Sequence, residues 1–136
     1  MLIGSVMYLA LSWGSISDKI PGHYNVAGEI DRWGNKVELL ILPLISWMMY
    51  IGLSAIERFP GIWNTGVTVT AENRDRIYGI LANMLVTLKF LLSSVFVFLT
   101  INSALAKPLS IWFTPVVLIL TFGTLIFFMV LLFRNR

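Results

Sequence analysis

Four apolar segments, separated by shorter polar ones, dominate the chain. They run from Leu2 to Ile16, Leu39 to Ile56, Ile77 to Ile101 and Leu109 to Phe133. A helix that crosses a bilayer needs about 20 residues, which the last three segments provide or approach and the first does not. The first segment has no Lys or Arg ahead of its apolar run, so we interpret it as a retained helix rather than a signal peptide. The pattern predicts an all-α, integral membrane four-helix bundle forming one domain, residues 1–136, with helices at about 2–17, 38–57, 71–102 and 109–133.

The first polar segment, residues 18–37, predicts a structured loop rather than a flexible tether. Pro21 restricts the backbone at its start, and tight turns are expected at Ala27-Gly28-Glu29 and Trp33-Gly34-Asn35. The Asn25 side chain is placed to bond a turn backbone. Three partners are open to Asp31: His23, Arg32 and Lys36. We expect a compact lid on one face of the bundle.

Composition supports the membrane assignment and excludes several other classes. Hydrophobic residues make up 57% of the chain and charged residues 12%, about half the charged share of a soluble domain. There is no Cys and one His, so thiol chemistry and multi-histidine metal centres are not expected. The net charge of +3 comes from scattered residues without a basic stripe, which does not indicate nucleic-acid binding. No catalytic motif is present, and neither an enzyme nor a cofactor is predicted.

Orientation follows from the Lys and Arg residues of the short loops, because these residues resist translocation. With both termini cytoplasmic, five of them lie inside and four outside: Arg58, Arg74, Arg76, Arg134 and Arg136 against Lys19, Arg32, Lys36 and Lys107. Acidic residues offset the bases of the first loop, whereas none lies near the last two arginines. We therefore expect cytoplasmic termini and an extracytoplasmic first loop, with Trp13 and Trp112 near the outer interface.

Lys89 lies at the thirteenth of the twenty-five residues from Ile77 to Ile101. A lysine at the centre of a span carries a penalty of roughly 2.5 to 3.5 kcal/mol and needs a partner or water. The open candidates are Glu38, Glu57, backbone carbonyls, a water-filled cavity, a lipid phosphate and an acid of another protein. Helical spacing places Lys89 on one face with Tyr78, Ala82 and Ser93, and a second polar row contains Arg76, Asn83, Thr87 and Ser94.

Two parts of the chain resemble a known family. The first is Ile20-Pro21-Gly22-His23-Tyr24-Asn25 with Gly28, Asp31, Trp33-Gly34 and Lys36; the second is Trp63-Asn64-Thr65, Val67 to Asn73 and Arg76-Ile77-Tyr78, running into Leu88-Lys89. Together they are similar to bacterial membrane proteins of the domain-of-unknown-function family 1648, which includes the N-terminal part of SdpI-like immunity proteins. The matching positions are His23, Asn25, Gly28, Asp31 and Lys36 in the loop and Asn73, Tyr78 and Lys89 beyond it.

The resemblance implies a multi-pass protein of the bacterial cytoplasmic membrane. SdpI-like proteins protect a cell against a toxic peptide, and some hold a transcriptional repressor at the membrane. This chain lacks the additional helices of SdpI-like proteins. Two functions follow as hypotheses: a module that recognises an external peptide or envelope ligand through the loop, or an accessory subunit of a larger complex such as a transporter. The second would use Lys89, Asn83 and Tyr78 for contact within a homo-oligomer or hetero-oligomer.

Overall fold

Helices make up most of the chain in a computed structural model, which describes residues 1–136. Two β-strands interrupt them between the first and second helices. The elements are α1 Leu2–Ser12, β1 Lys19–Tyr24, β2 Ile30–Asn35, α2 Ile41–Arg58, α3 Arg74–Ala104 and α4 Phe113–Arg134, with short 3-10 segments at Trp13–Ser15, Lys36–Leu40 and Pro60–Ile62.

Three helical segments are long and apolar enough to cross a membrane by length and composition. They are Lys36–Arg58 with 23 residues, Arg74–Ala104 with 31 and Phe113–Arg134 with 22. The chain is therefore described as a multi-pass membrane protein in contact with lipid. The apolar helix α1 has 11 residues and rises only about 17 Å, less than the roughly 30 Å of a bilayer core. A bundle of four crossing helices stays a prediction.

The polar segment between α1 and α2 is a β-hairpin, which the all-α prediction omitted. Strands β1 and β2 pair antiparallel, from Lys19 opposite Asn35 to Tyr24 opposite Ile30, with register shifts on both sides of His23. Gly34 lies inside β2, so the turn predicted around it is wrong. Pairing across the chain gives these residues backbone partners that a local turn would not supply.

The hairpin rests on the helix ends through an apolar cluster. Ile20 of β1 is 2% exposed and packs with Ile16, Leu39, Leu9 and Ala104. These residues come from four different parts of the chain, so the cluster joins the hairpin to α1, α3 and the start of the second span. The hairpin is thereby held as a fixed element at one end of the bundle.

Three helices begin later than predicted, and the first ends earlier. Helix α2 begins at Ile41 instead of 38, after the 3-10 segment, and α1 ends at Ser12 instead of 17. Local interactions explain the later starts of α3 and α4. Helix α3 begins at Arg74 instead of 71, because the side chains of Thr70 and Asn73 bind each other's backbone N–H in a turn ahead of it. Helix α4 begins at Phe113 instead of 109, because the backbone of Leu109 pairs with the hairpin. At the other end of the bundle, Ile77, Ile80, Leu81 and Leu132 form a second apolar cluster.

Candidate ligand-binding site at the hairpin

Asn25 organises the tip of the hairpin. Its Oδ1 accepts a hydrogen bond from the Glu29 N–H at 3.0 Å, and its Nδ2 donates to Glu29 Oε2 at 2.9 Å. The Gly28 N–H donates to the Asn25 carbonyl at 2.9 Å, and Gly28 has a φ of 85°, which favours glycine. The expected turn at Ala27-Gly28-Glu29 and its side-chain tie by Asn25 are both present.

Gly28 also fastens the tip to the loop between α3 and α4. Its carbonyl accepts a hydrogen bond from the Leu109 N–H at 2.8 Å. A Cβ atom at this position would lie 2.7 Å from the Leu109 carbonyl oxygen. Gly28 is therefore required both for its backbone conformation and for this close approach.

Tyr24 makes a second attachment to the same loop and to the end of α3. Its hydroxyl lies 3.2 Å from Ser103 Oγ, donates to the Lys107 carbonyl at 3.1 Å and accepts from Asn102 Nδ2 at 3.3 Å. Tyr24 lies within the motif but was not predicted to be a site residue. Its position between two motif residues was the sequence signal that could have identified it. Its hydrogen-bond partners could not be predicted, because they lie about 80 residues away along the chain.

Lys36 closes the base of the hairpin onto α1. Its ammonium donates to the carbonyls of Trp13 and of Ile16, the latter at 2.9 Å, and lies 4.9 Å from the centroid of the Trp13 ring. These carbonyls follow the end of α1, where helices leave acceptors without intrahelical partners. Lys36 is therefore a structural residue of the motif, and its charge is engaged within the chain.

A hydrogen-bonded His–Asp pair and an ion pair lie on the exposed side of the hairpin. His23 Nδ1 is 2.6 Å from Asp31 Oδ1, and both side chains are largely accessible, at 64% and 43%. Of the three partners predicted for Asp31, the structure shows His23. Arg32 donates to Glu38 Oε2 at 2.9 Å and to the Gly22 carbonyl at 2.8 Å. Glu38 is therefore paired at the hairpin and is not the partner of Lys89.

A cavity of about 440 Å³ lies between the hairpin and the ends of α2, α3 and α4. Its volume falls within the range of small-molecule sites in proteins, roughly 300–1,000 Å³. Most polar groups come from the hairpin and from Glu38, with Ser103 and Thr114 added by the helices, and most apolar groups come from the helix ends and the α3–α4 loop. The polar side is formed by His23, Asn25, Arg32 and Glu38, and the apolar side includes Ile41, Leu42, Leu99, Leu109 and Phe113.

Lys89 forms a separate polar site inside the bundle. Its Nζ lies 2.5 Å from Glu57 Oε2, donates to Ser54 Oγ at 3.2 Å and is 5.2 Å from the centroid of the Tyr50 ring. The side chain of Lys89 is 15% exposed. Glu57 is thus the partner that the structure selects among the candidates.

Tyr78 and Asn83 are not brought together with Lys89. Tyr78 packs against Trp63 with ring centroids 5.8 Å apart, near the apolar cluster at the opposite end of the bundle. Asn83 is exposed on α3, and its carbonyl accepts a hydrogen bond from Thr87 Oγ1. The intramembrane residues named from the sequence therefore do not form a single site.

The hairpin and its surroundings coincide with the part of the chain that is similar to a known family. Residues 1–46 match the family model described as Domain of unknown function (DUF1648). The match shows that this part of the chain is similar to that family. It covers α1, the hairpin and the first turns of the second span. No curated protein and no solved structure matches the chain.

Proposed function

We propose that this chain is a bacterial plasma-membrane protein of the SdpI-like immunity or sensor type. In this proposal the C-terminus is cytoplasmic, the start of α1 lies beside the middle of α3 rather than at that surface, and the hairpin recognises an external peptide or other envelope ligand. The proposal depends on the cavity of about 440 Å³ under the hairpin. Its lining combines four polar residues in or next to the hairpin with apolar residues of the helix ends. A ligand with polar and apolar parts, such as a membrane-active peptide, fits this distribution.

The fixed position of the hairpin supports recognition by a preformed site. Tyr24 and Gly28 attach the tip to the α3–α4 loop, and Lys36 attaches the base to the end of α1. A site held in its binding geometry loses less conformational entropy when a ligand binds. The pairs His23–Asp31 and Arg32–Glu38 remain on the accessible side, where they can exchange intrachain partners for polar groups of a ligand.

The main electrostatic argument for an accessory subunit was the unpaired charge of Lys89, and the structure weakens it. An acid of another protein was one of the partners open to Lys89, but Lys89 is paired with Glu57 of the same chain. The charge is compensated without a second protein. Recognition through the hairpin is therefore the function that we retain.

Asp31→Ala is expected to abolish protection in cells that depend on this protein. The substitution removes the acid that holds His23 and leaves the buried contacts of Ile20 and Tyr24 intact. A strain without the gene is complemented with the wild-type, Asp31→Ala or His23→Ala chain and exposed to a panel of envelope-active peptides. We expect wild type to restore growth and both variants to behave like the deletion at equal protein abundance.

Asp18→Ala is the matched control. Asp18 is an exposed acid beside the hairpin that forms no ion pair within the chain, and its backbone bond to Lys36 survives the substitution. It should protect like wild type. Unchanged susceptibility of the deletion strain across the panel, or full protection by Asp31→Ala, would contradict the proposal.

A further inference from the structure

A second cavity, of about 360 Å³, lies beside Lys89 at the middle of α3. Lys89 is the sixteenth of the 31 residues of α3, so it lies about 22 Å along the helix from either end. This cavity is therefore distinct from the one under the hairpin. It is formed by the start of α1 and the facing parts of α2 and α3, and its lining comprises Met1, Leu2, Ile3, Trp47, Tyr50, Val86, Lys89, Phe90 and Ser93.

Ser93 presents an unpaired hydroxyl to this cavity. The other Ser and Thr side chains of α3 are all hydrogen-bonded: Thr87, Ser94 and Thr100 donate to the carbonyl four residues earlier, and Ser103 pairs with Tyr24. Ser93 is 7% exposed and has no such partner. Because the Ser93 hydroxyl lines the cavity and has no partner within the chain, it is available to a ligand.

Lys89 supplies a further donor four residues away on the same face of α3. An ammonium has three N–H donors, of which Glu57 and Ser54 take two. Glu57 also compensates the charge of Lys89, so this residue does not require an anion in the cavity. The two available donors favour an uncharged ligand oxygen, such as a carbonyl.

The walls of the cavity favour a flat ring. Trp47 and Tyr50 pack edge to face with ring centroids 6.1 Å apart, and Phe90 completes the aromatic lining. Val86 and Phe90 are 46% and 61% exposed on an apolar helix, which places the opening towards the lipid. A ligand would therefore enter from the bilayer and must be soluble in it.

We propose that this cavity binds the head group of a lipid-soluble quinone. The ring packs against the aromatic residues, one carbonyl accepts hydrogen bonds from Ser93 and Lys89, and the apolar tail extends into the bilayer. The proposal concerns binding alone, and it stands independently of recognition at the hairpin.

Binding is tested with decylubiquinone added to the purified protein in maltoside micelles. We expect a saturable rise in the thermal unfolding temperature, since a ligand that binds the folded state stabilises it. Ser93→Ala should weaken the apparent affinity by about 5-fold, the worth of one hydrogen bond. Val86→Trp, which fills the cavity from its rim without touching the buried polar groups, should abolish the effect. Thr87→Val, which removes a hydroxyl of α3 outside the cavity, should leave it unchanged.

Decylbenzene is the matched probe, because it keeps a ring and the tail but lacks the carbonyls. Equal stabilisation by decylbenzene would overturn carbonyl recognition, and so would an unchanged affinity of the Ser93→Ala variant. Stabilisation that persists in Val86→Trp would show partitioning into the micelle and would also refute the site. His23→Ala should bind the quinone like wild type, so failure here and failure of hairpin recognition are distinguishable.

Discussion

Glu57→Gln is expected to destabilise the folded protein by about 3 kcal/mol. The substitution removes the negative charge beside the Lys89 ammonium at the middle of α3, and only neutral acceptors, the new amide and Ser54, remain next to it. Removing one member of a buried ion pair typically costs about 3–5 kcal/mol, and the low end applies because 31% of the Glu57 side chain is exposed. The free energy of unfolding is measured by denaturant titration in mixed micelles.

The double variant Glu57→Gln with Lys89→Met should recover most of this loss, because it contains neither charge. Glu72→Gln is the matched single control, since Glu72 is an exposed acid that forms no ion pair within the chain. It should unfold like wild type. If Glu57→Gln is as stable as Glu72→Gln, or if the double variant is no more stable than Glu57→Gln, the ion pair does not have the role assigned to it.

Gly28→Ala is expected to lower the stability by about 2 to 3 kcal/mol and to loosen the hairpin. A residue with a Cβ pays roughly 1–2 kcal/mol in the left-handed region that Gly28 occupies. The new methyl group also meets the Leu109 carbonyl at 2.7 Å, so the hydrogen bond between the two residues is lost, at about 1 kcal/mol. Thermal unfolding and amide exchange at Leu109 measure both effects.

The control variant Gly66→Ala distinguishes the effect of backbone strain from that of the steric clash with Leu109. Gly66 has a φ of 67°, but no heavy atom lies within 4 Å of its would-be Cβ. This variant should lose only the strain contribution, and Leu109 should keep its protection from exchange. Equal destabilisation by the two substitutions would show that the contact between Gly28 and Leu109 does not hold the tip.

The long helices were predictable because their apolar runs are continuous. A bilayer demands a hydrophobic surface over a whole span, so the signal depends on composition and survives errors in local detail. The apolar segment from Ile77 to Ile101 lies inside α3, and the one from Leu39 to Ile56 contains most of α2. Helix ends were less predictable, because side chains such as Asn73 and backbone pairing at Leu109 decide them.

The hairpin was harder to predict because its two strands depend on each other and on the helices. Pro21 and Gly34 are uncommon inside strands and pointed to turns instead. Their pairing becomes favourable only with the apolar contact of Ile20 to the helix ends, which sequence periodicity does not reveal. The turn at Gly28 was predictable, since the glycine and the Asn25 side chain are local signals.

Which acid pairs with a buried base depends on how deep each residue lies in the bundle, and the sequence does not give these depths. Glu38 and Glu57 lie at opposite ends of the second span, and both were possible partners for Lys89. Only the packing of α2 against α3 brings Glu57 level with it. Lys36 was likewise selected as a motif residue. Its role in attaching the hairpin to the end of α1 could not be predicted, because it depends on the position of Trp13.

The central claim, that the hairpin recognises a ligand from outside the cell, requires the hairpin to face outwards. The chain contains no Cys, so single cysteines can be labelled without background. Val26 at the hairpin tip is 79% exposed, and Thr68 is exposed in the loop at the opposite end of the bundle. In intact cells a membrane-impermeant maleimide should label Val26→Cys, and it should label Thr68→Cys only after permeabilisation. Labelling of Thr68→Cys but not Val26→Cys in intact cells would contradict the claim.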